Sequence, residues 1–193
     1  MKSICVFCGS SLGNDTEFEL QAYQLGKKLA QQATKLVYGG GKIGLMGVVA
    51  RGCAENGGEV VGVIPRFLDK KEITNTDADE LHVTASMHER KYKMTQLADG
   101  FIALPGGFGT MDELCEVLTW SQLGLIQKPI GLLNVNGYFD HLISLFKHMT
   151  ESELVKNPDL DILIVENDMN ALLQKMNNFR PSKENFMDKL GLT

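Results

Sequence analysis

Short apolar segments alternate with helix-period segments from one end of the chain to the other, and this alternation restricts the fold more than any single motif does. Seven runs read as strands: Ser3–Cys8, Lys35–Tyr38, Glu59–Ile64, Leu81–Thr84, Gly100–Leu104, Pro129–Leu133 and Ile162–Val165. They are β-branched or apolar and mostly lack in–out alternation, which suits strands covered on both faces. Helical patterns lie between them. Phe18, Ala22, Leu25 and Leu29 recur at helical spacing, and Leu45 to Asn56 is stopped by Gly57-Gly58. Met87 to Ala98, Met111 to Leu123, Tyr138 to Met149 and Met169 to Met176 supply the rest. The order predicts an α/β fold: a doubly wound, mostly parallel sheet of about seven strands with helices on both faces. One domain over residues 1–180 accommodates it, with 181–193 as a polar tail.

Composition narrows the partners. The chain has 193 residues, 44% hydrophobic and 22% charged, as in an ordinary soluble protein. No apolar run approaches the ~20 residues of a membrane span, and the N-terminal segment lacks the form of a signal peptide. A net charge of −5 disfavours nonspecific nucleic-acid binding. Cys5 and Cys8 spell C-x-x-C, but they fall in a strand, where residues three apart point to opposite faces. No second C-x-x-C or H-x-x-x-H completes a metal site, so no metal is expected and the thiols read as buried hydrophobes. Free thiols without an export signal point to the cytoplasm.

Three glycine-rich turns follow strands: Cys8-Gly9-Ser10-Ser11, Tyr38-Gly39-Gly40-Gly41-Lys42-Ile43-Gly44, and Leu104-Pro105-Gly106-Gly107-Phe108-Gly109-Thr110. In an open α/β sheet such loops converge on one crevice, where Ser10, Gly40 and Gly41 become candidate ligand contacts. The third turn enters a helix, and bare amides at a helix N-terminus suit a phosphate. Gly39, Gly41 and Gly44 formally spell G-x-G-x-x-G, but the next strand ends at Pro65 with no carboxylate for a ribose diol, which argues against a dinucleotide-dependent oxidoreductase. Glu113 has two readings. Thr110-x-x-Glu113 has the sequence of a capping box, and a carboxylate beside an anion cradle suits chemistry.

Met87, Arg90, Lys91 and Met94 share a helical face. In one reading the methionines pack inward and the cations are solvated. In the other, Arg90 brings a planar fork to the glycine loops.

Taken together, Met87-His88-x-Arg90-Lys91 and Pro105-Gly106-Gly107-x-Gly109-Thr110-x-x-Glu113 resemble the LOG ("lonely guy") family of cytokinin riboside 5′-monophosphate phosphoribohydrolases. The likeness runs from Cys8-Gly9-Ser10-Ser11 through Gly44-Leu45-Met46-Gly47 to Asn134-Val135-Asn136-Gly137-Tyr138. Such chains also carry the label lysine decarboxylase, yet no lysine and pyridine-nitrogen partner for a Schiff-base cofactor is evident. The resemblance implies a Rossmann-like homodimer, without cofactor, that cleaves the N-glycosidic bond of an N6-modified adenosine monophosphate or of AMP. By position it implies Arg90 and Glu113 as the catalytic pair. It implies nucleotide contacts at Lys91, Gly106, Gly107, Phe108, Gly109, Thr110, Asp112 and Thr119, with Met87 beside them and Glu72 from the preceding loop. Asp112 and Phe108 depart from the Glu and Tyr common in relatives. A non-catalytic nucleotide or molybdenum-cofactor carrier is the alternative, since similar folds serve that role.

Overall fold

The computed structural model describes residues 1–70, 73–156 and 160–181. The strands are β1 (Ser3–Phe7), β2 (Lys35–Tyr38), β3 (Val60–Pro65), β4 (Glu80–Thr84), β5 (Gly100–Ala103), β6 (Ile130–Leu133) and β7 (Leu163–Glu166). They form one sheet in the order β4-β3-β2-β1-β5-β6-β7. Every neighbouring pair is parallel. All strand C-termini therefore open on the same edge. The helices are α1 (Thr16–Gln31), α2 (Gly44–Ala54), α3 (Met87–Leu97), α4 (Phe108–Gln122), α5 (Asp140–Glu151) and α6 (Met169–Asn177).

The side-chain period of two divides β1 between two cores. Ile4, Val6 and Cys8 pack with Leu25 and Leu29 of α1, Val48 and Val49 of α2, and Leu172 and Met176 of α6. Cys5 and Phe7 face the other way, toward Met94 of α3, Leu114 and Val117 of α4, and Phe139. The C-x-x-C thus splits across the sheet, as its strand setting predicts. Both thiols are buried, and burial pushes both well above the usual thiol value.

The chain winds outward from β1 in one direction through α1 and α2, and from β5 in the other through α4 and α5. The reversal lies between β1 and β5, so the loops after these two strands diverge to opposite faces and leave a crevice. Helix α3 carries the chain from the edge strand β4 back to β5, which lays it across the intervening strands.

Helices α1 and α2 meet at backbone distance. A Cβ on Gly26 would lie 2.1 Å from the Val49 carbonyl oxygen, and one on Gly52 would lie 2.3 Å from that of Tyr23. Gly26→Val must part the helices or bend one. It is expected to destabilise by about 1–3 kcal/mol, lowering the melting temperature by ~2–4 °C for each kcal/mol. Calorimetry with an unchanged Tm would show that the close approach does not matter.

Strand limits differ from the sequence expectation by a residue or so, except at one functional point. Helix α4 begins at Phe108 with Gly107 as N-cap, not near Met111. Between β3 and β4, the described residues include a 3₁₀ turn over Arg66–Leu68 and a docked segment. Lys42 N donates to Ile73 O (2.8 Å) and Asn75 N to Gly40 O (2.8 Å). Glu72, expected as a nucleotide contact, lies outside the described residues, and so does the expected polar tail 181–193 apart from Pro181.

Candidate active site

Three loops are knitted together at the crevice. Gly9 N donates to Pro105 O (3.0 Å), and Met46 N donates to Gly9 O (3.3 Å). Gly44, at φ +63, lies so close to Ser10 that a Cβ would sit 2.2 Å from its carbonyl carbon. Gly106 is equally confined, with Thr110 Oγ1 2.0 Å from where its Cβ would stand. Gly107 and Gly109 are different: a Cβ at either would meet nothing within 4 Å. Packing inside this chain does not require them to be glycine, whereas a ligand brought against the backbone would. The β1 and β5 loops, with Leu12, Phe18, Leu45 and Tyr138, enclose a cavity of about 240 Å³ that includes Ser10, Gly106 and Gly107.

Helix α4 points its N-terminus into this region without a side-chain cap and without an acidic residue in its first turn. The start of α2, after Ile43, is uncapped in the same way, whereas α1, α3 and α6 are capped by Asp15, Ser86 and Asp168. The first amides of α4 therefore lack the usual side-chain acceptor, and its positive end is uncompensated, an arrangement suited to an anion. This overturns the capping-box reading of Thr110-x-x-Glu113. Thr110 is inside the helix, and Glu113 is turned away from the helix start toward α3. The reciprocal cap lies instead at α3: Glu89 N donates to Ser86 Oγ (3.2 Å), and Glu89 Oε2 accepts from Ala85 N (2.8 Å).

Arg90 of α3 and Glu113 of α4 form a buried ion pair. Arg90 Nη1 donates to Glu113 Oε1 at 2.6 Å, and Arg90 Nε donates to the Val63 carbonyl at 3.0 Å. The residues are only 7% and 9% exposed, so the pair is shielded from solvent. The solvated-arginine reading is thereby corrected: α3 crosses the sheet, and Arg90 lies over β3 and β2. Gly39 provides the space, because a Cβ there would fall 2.2 Å from Arg90 Nη2. Burial pushes the Glu113 carboxyl above its ordinary value, and the Arg90 guanidinium pulls it back part of the way.

Lys91 is also engaged rather than solvated. Its Nζ lies 3.0 Å from Asp112 and 3.1 Å from Glu116. Burial pulls its ammonium down, but the two carboxylates outweigh that and hold its pKa raised. Successive cations of α3 thus meet successive carboxylates of α4, a match of faces that neither helix reveals alone.

The other expected contacts are distributed unevenly. Met87 opens α3, half-buried, and Phe108 opens α4 and is 96% exposed. Gly40 and Gly41 are buried, Gly40 O accepting from Asn75 N and Gly41 bridging to Thr74. Thr119 is not brought to Arg90 and Glu113. Its hydroxyl donates to Cys115 O (2.8 Å), and it lines a separate apolar groove of about 190 Å³ with Leu118, Phe146 and Met149. Sequence reasoning missed Gly39 as the space for Arg90 and Val63 as its carbonyl partner. No local pattern marks either, since both act through an element distant in sequence. Among the described residues, no helix is long and apolar enough to cross a membrane.

The family model described as "Possible lysine decarboxylase" matches residues 46–176. The probable cytokinin riboside 5′-monophosphate phosphoribohydrolase LOGL1 of Oryza sativa subsp. japonica is 45% identical, over 94% of this chain and 81% of that protein. LOG2 of Arabidopsis thaliana, a cytokinin riboside 5′-monophosphate phosphoribohydrolase, is 42% identical over 98% of this chain and 89% of its own. Among solved structures, the molybdenum cofactor binding protein of Rippkaea orientalis superposes with a TM-score of 0.70 at 21% identity, covering 92% of this chain and 97% of that one. That last likeness is one of fold. Identity above two-fifths along nearly the whole chain goes further: the protein belongs to the LOG family of cytokinin riboside 5′-monophosphate phosphoribohydrolases.

Proposed function

We propose that this chain hydrolyses the N-glycosidic bond of adenosine 5′-monophosphates, N6-modified or plain, releasing free base and ribose 5-phosphate. The observation that carries the reading is the shielded Arg90–Glu113 pair, 2.6 Å apart, beside the uncapped glycine start of α4. Breaking C1′–N9 builds positive charge on the ribose and negative charge on the purine. A buried carboxylate steadies an oxocarbenium-like sugar or orients the attacking water, as in glycoside hydrolysis. Arg90 holds that carboxylate in place and keeps a cation near the departing base. The free amides of α4, with Gly107, Gly109 and Thr110, take the 5′-phosphate and turn remote binding into alignment of the bond. Ser10, Met87, Phe108 and Asp112 border the nucleotide in this reading, and Lys91 braces α3 against α4. A carrier has no need of a shielded carboxylate at its crevice, whereas a glycosidase does.

The direct experiment incubates the protein with a panel of nucleoside monophosphates and their unphosphorylated nucleosides, scoring free base by chromatography. Base should appear from the monophosphates only. No release from any monophosphate would sink the reading.

The pH dependence has a definite sign. Burial raises Glu113, and the ionised form is the one that works. The acid limb of kcat/KM is therefore expected above the ~4.3 of an ordinary glutamate. The stability linkage runs the other way. A carboxyl raised in the folded state contributes stability that is present below its unfolded value and fades as pH rises through the folded one. A pH–rate profile whose acid limb sits at the ordinary value would contradict the shielded carboxylate.

The active form in this proposal is a homodimer in the cytoplasm, with residues 1–180 as the catalytic unit. Thr119 then contacts nucleotide only across a subunit boundary. The apolar groove beside it and the exposed Leu123 and Leu125 supply a surface for pairing. Sedimentation as a monomer at micromolar concentration would remove this part.

A further inference from the structure

Tyr138 lies outside the charged pair, yet its hydroxyl donates to the Gly106 carbonyl at 2.6 Å. The turn before it is built to hold that contact. Asn136 and Gly137 both adopt the left-handed conformation, at φ +49 and +74. Asn134, buried, ties the turn with both ends of its side chain: Nδ2 donates to Asp140 Oδ1 (2.7 Å), and Oδ1 accepts from Phe139 N (2.8 Å). Asn136 Nδ2 donates to Asp15 Oδ2 (2.9 Å), while the other oxygen of Asp15 caps α1. The Tyr138 ring packs edge-on against Phe18 at 5.4 Å and Phe139 at 4.9 Å. Its position is thus set from α1 and α5 before it reaches the glycine loop.

Gly106 and Gly107 are joined by one planar peptide. Its carbonyl and the following N–H point in opposite directions, so holding the Gly106 oxygen also aims the Gly107 amide. Glycines set no strong preference of their own, and nothing stands where a Gly107 side chain would be. Thr110 and Gly9 confine Gly106, and the carbonyl of its peptide is held by the Tyr138 hydroxyl. We infer that Tyr138 is a positioning residue: its hydroxyl orients the Gly106–Gly107 peptide so that the amides leading into α4 are preset for a phosphate. The inference rests on the proposed phosphate-binding role of that loop.

Tyr138→Phe keeps the ring and both aromatic contacts and removes only the hydroxyl. Ribose 5-phosphate is the probe, bound in a calorimeter, so the reading needs no turnover. The Phe variant should bind it about 3–10-fold more weakly, the size of one hydrogen bond. KM for the monophosphate should rise by a similar factor, with kcat changed by less than about twofold. Tm should move by no more than about 4 °C. Tyr138→Leu, which also loses the ring, should lower Tm further without restoring affinity. Wild-type affinity for ribose 5-phosphate in Tyr138→Phe overturns the inference, because the ring alone would then suffice. Failure of the native protein to bind ribose 5-phosphate overturns it as well. A native protein that binds ribose 5-phosphate but releases no base instead sinks the glycosidase reading, and the affinity ratio still decides the role of Tyr138.

Discussion

Glu113→Gln should lower turnover of a nucleoside monophosphate by about 10²–10⁴-fold, the usual effect of removing a positioned acid–base group. The substitution is nearly isosteric. Its amide oxygen can still accept from Arg90 Nη1, which now meets the carboxylate at 2.6 Å. The packing around Leu114 and Val117 stays filled, so the variant is expected to fold and to bind ribose 5-phosphate. What disappears is the negative charge that opposes the cationic sugar in the transition state. The loss should therefore fall mainly on kcat rather than on KM. Steady-state kinetics with a melting curve on the same sample tests this. Activity within a few-fold of the native protein, with an unshifted Tm, would show that the carboxylate serves packing only.

Arg90 should show a larger combined effect on stability and activity. Arg90→Ala leaves Glu113 buried without its partner and frees the Val63 carbonyl. Breaking a buried pair in this way is strongly destabilising, by about 3–5 kcal/mol, unless the orphan carboxyl takes up a proton. Either outcome removes activity at neutral pH. Arg90→Lys keeps the charge but has no planar fork to serve both Val63 O and Glu113, so it should recover stability better than rate. Gly39→Ala tests the same group without changing a charge. Its methyl would enter the space now held by Arg90 Nη2. The tip of a long side chain can yield, so the fold should survive. A displacement of about 1 Å at the guanidinium is still enough to lower the rate by about 10²-fold. Near-native kinetics in Gly39→Ala would mean that Arg90 need not stand where the structure has it.

The architecture is largely legible in the sequence. Strands covered on both faces have to be apolar, and the helices between them have to carry one apolar stripe, so burial writes itself into local periodicity. Cys5 and Cys8 were legible for the same reason, because a strand has a side-chain period of two. The start of α4 was misread. Thr110-x-x-Glu113 has the letters of a capping box, but Gly107 begins the helix earlier, and the Glu113 side chain is drawn to Arg90. The actual reciprocal cap is Ser86 with Glu89, which carries the same S-x-x-E spacing.

The sequence by itself determined the doubly wound sheet and the glycine turns at its strand ends, and its resemblance to a known family pointed to Arg90 and Glu113. Those follow from periodicity, from the backbone freedom of glycine and from a pair of motifs in fixed order. Only the tertiary structure decided that Arg90 is buried and that Gly39 provides its space. It likewise decided that Lys91 is held between Asp112 and Glu116, and that Tyr138 reaches Gly106 from the turn after β6. Each of these depends on α3 crossing from the sheet's edge to its centre, or on loops meeting at the switch between β1 and β5. Such contacts join residues far apart in the chain, and no local pattern carries their geometry.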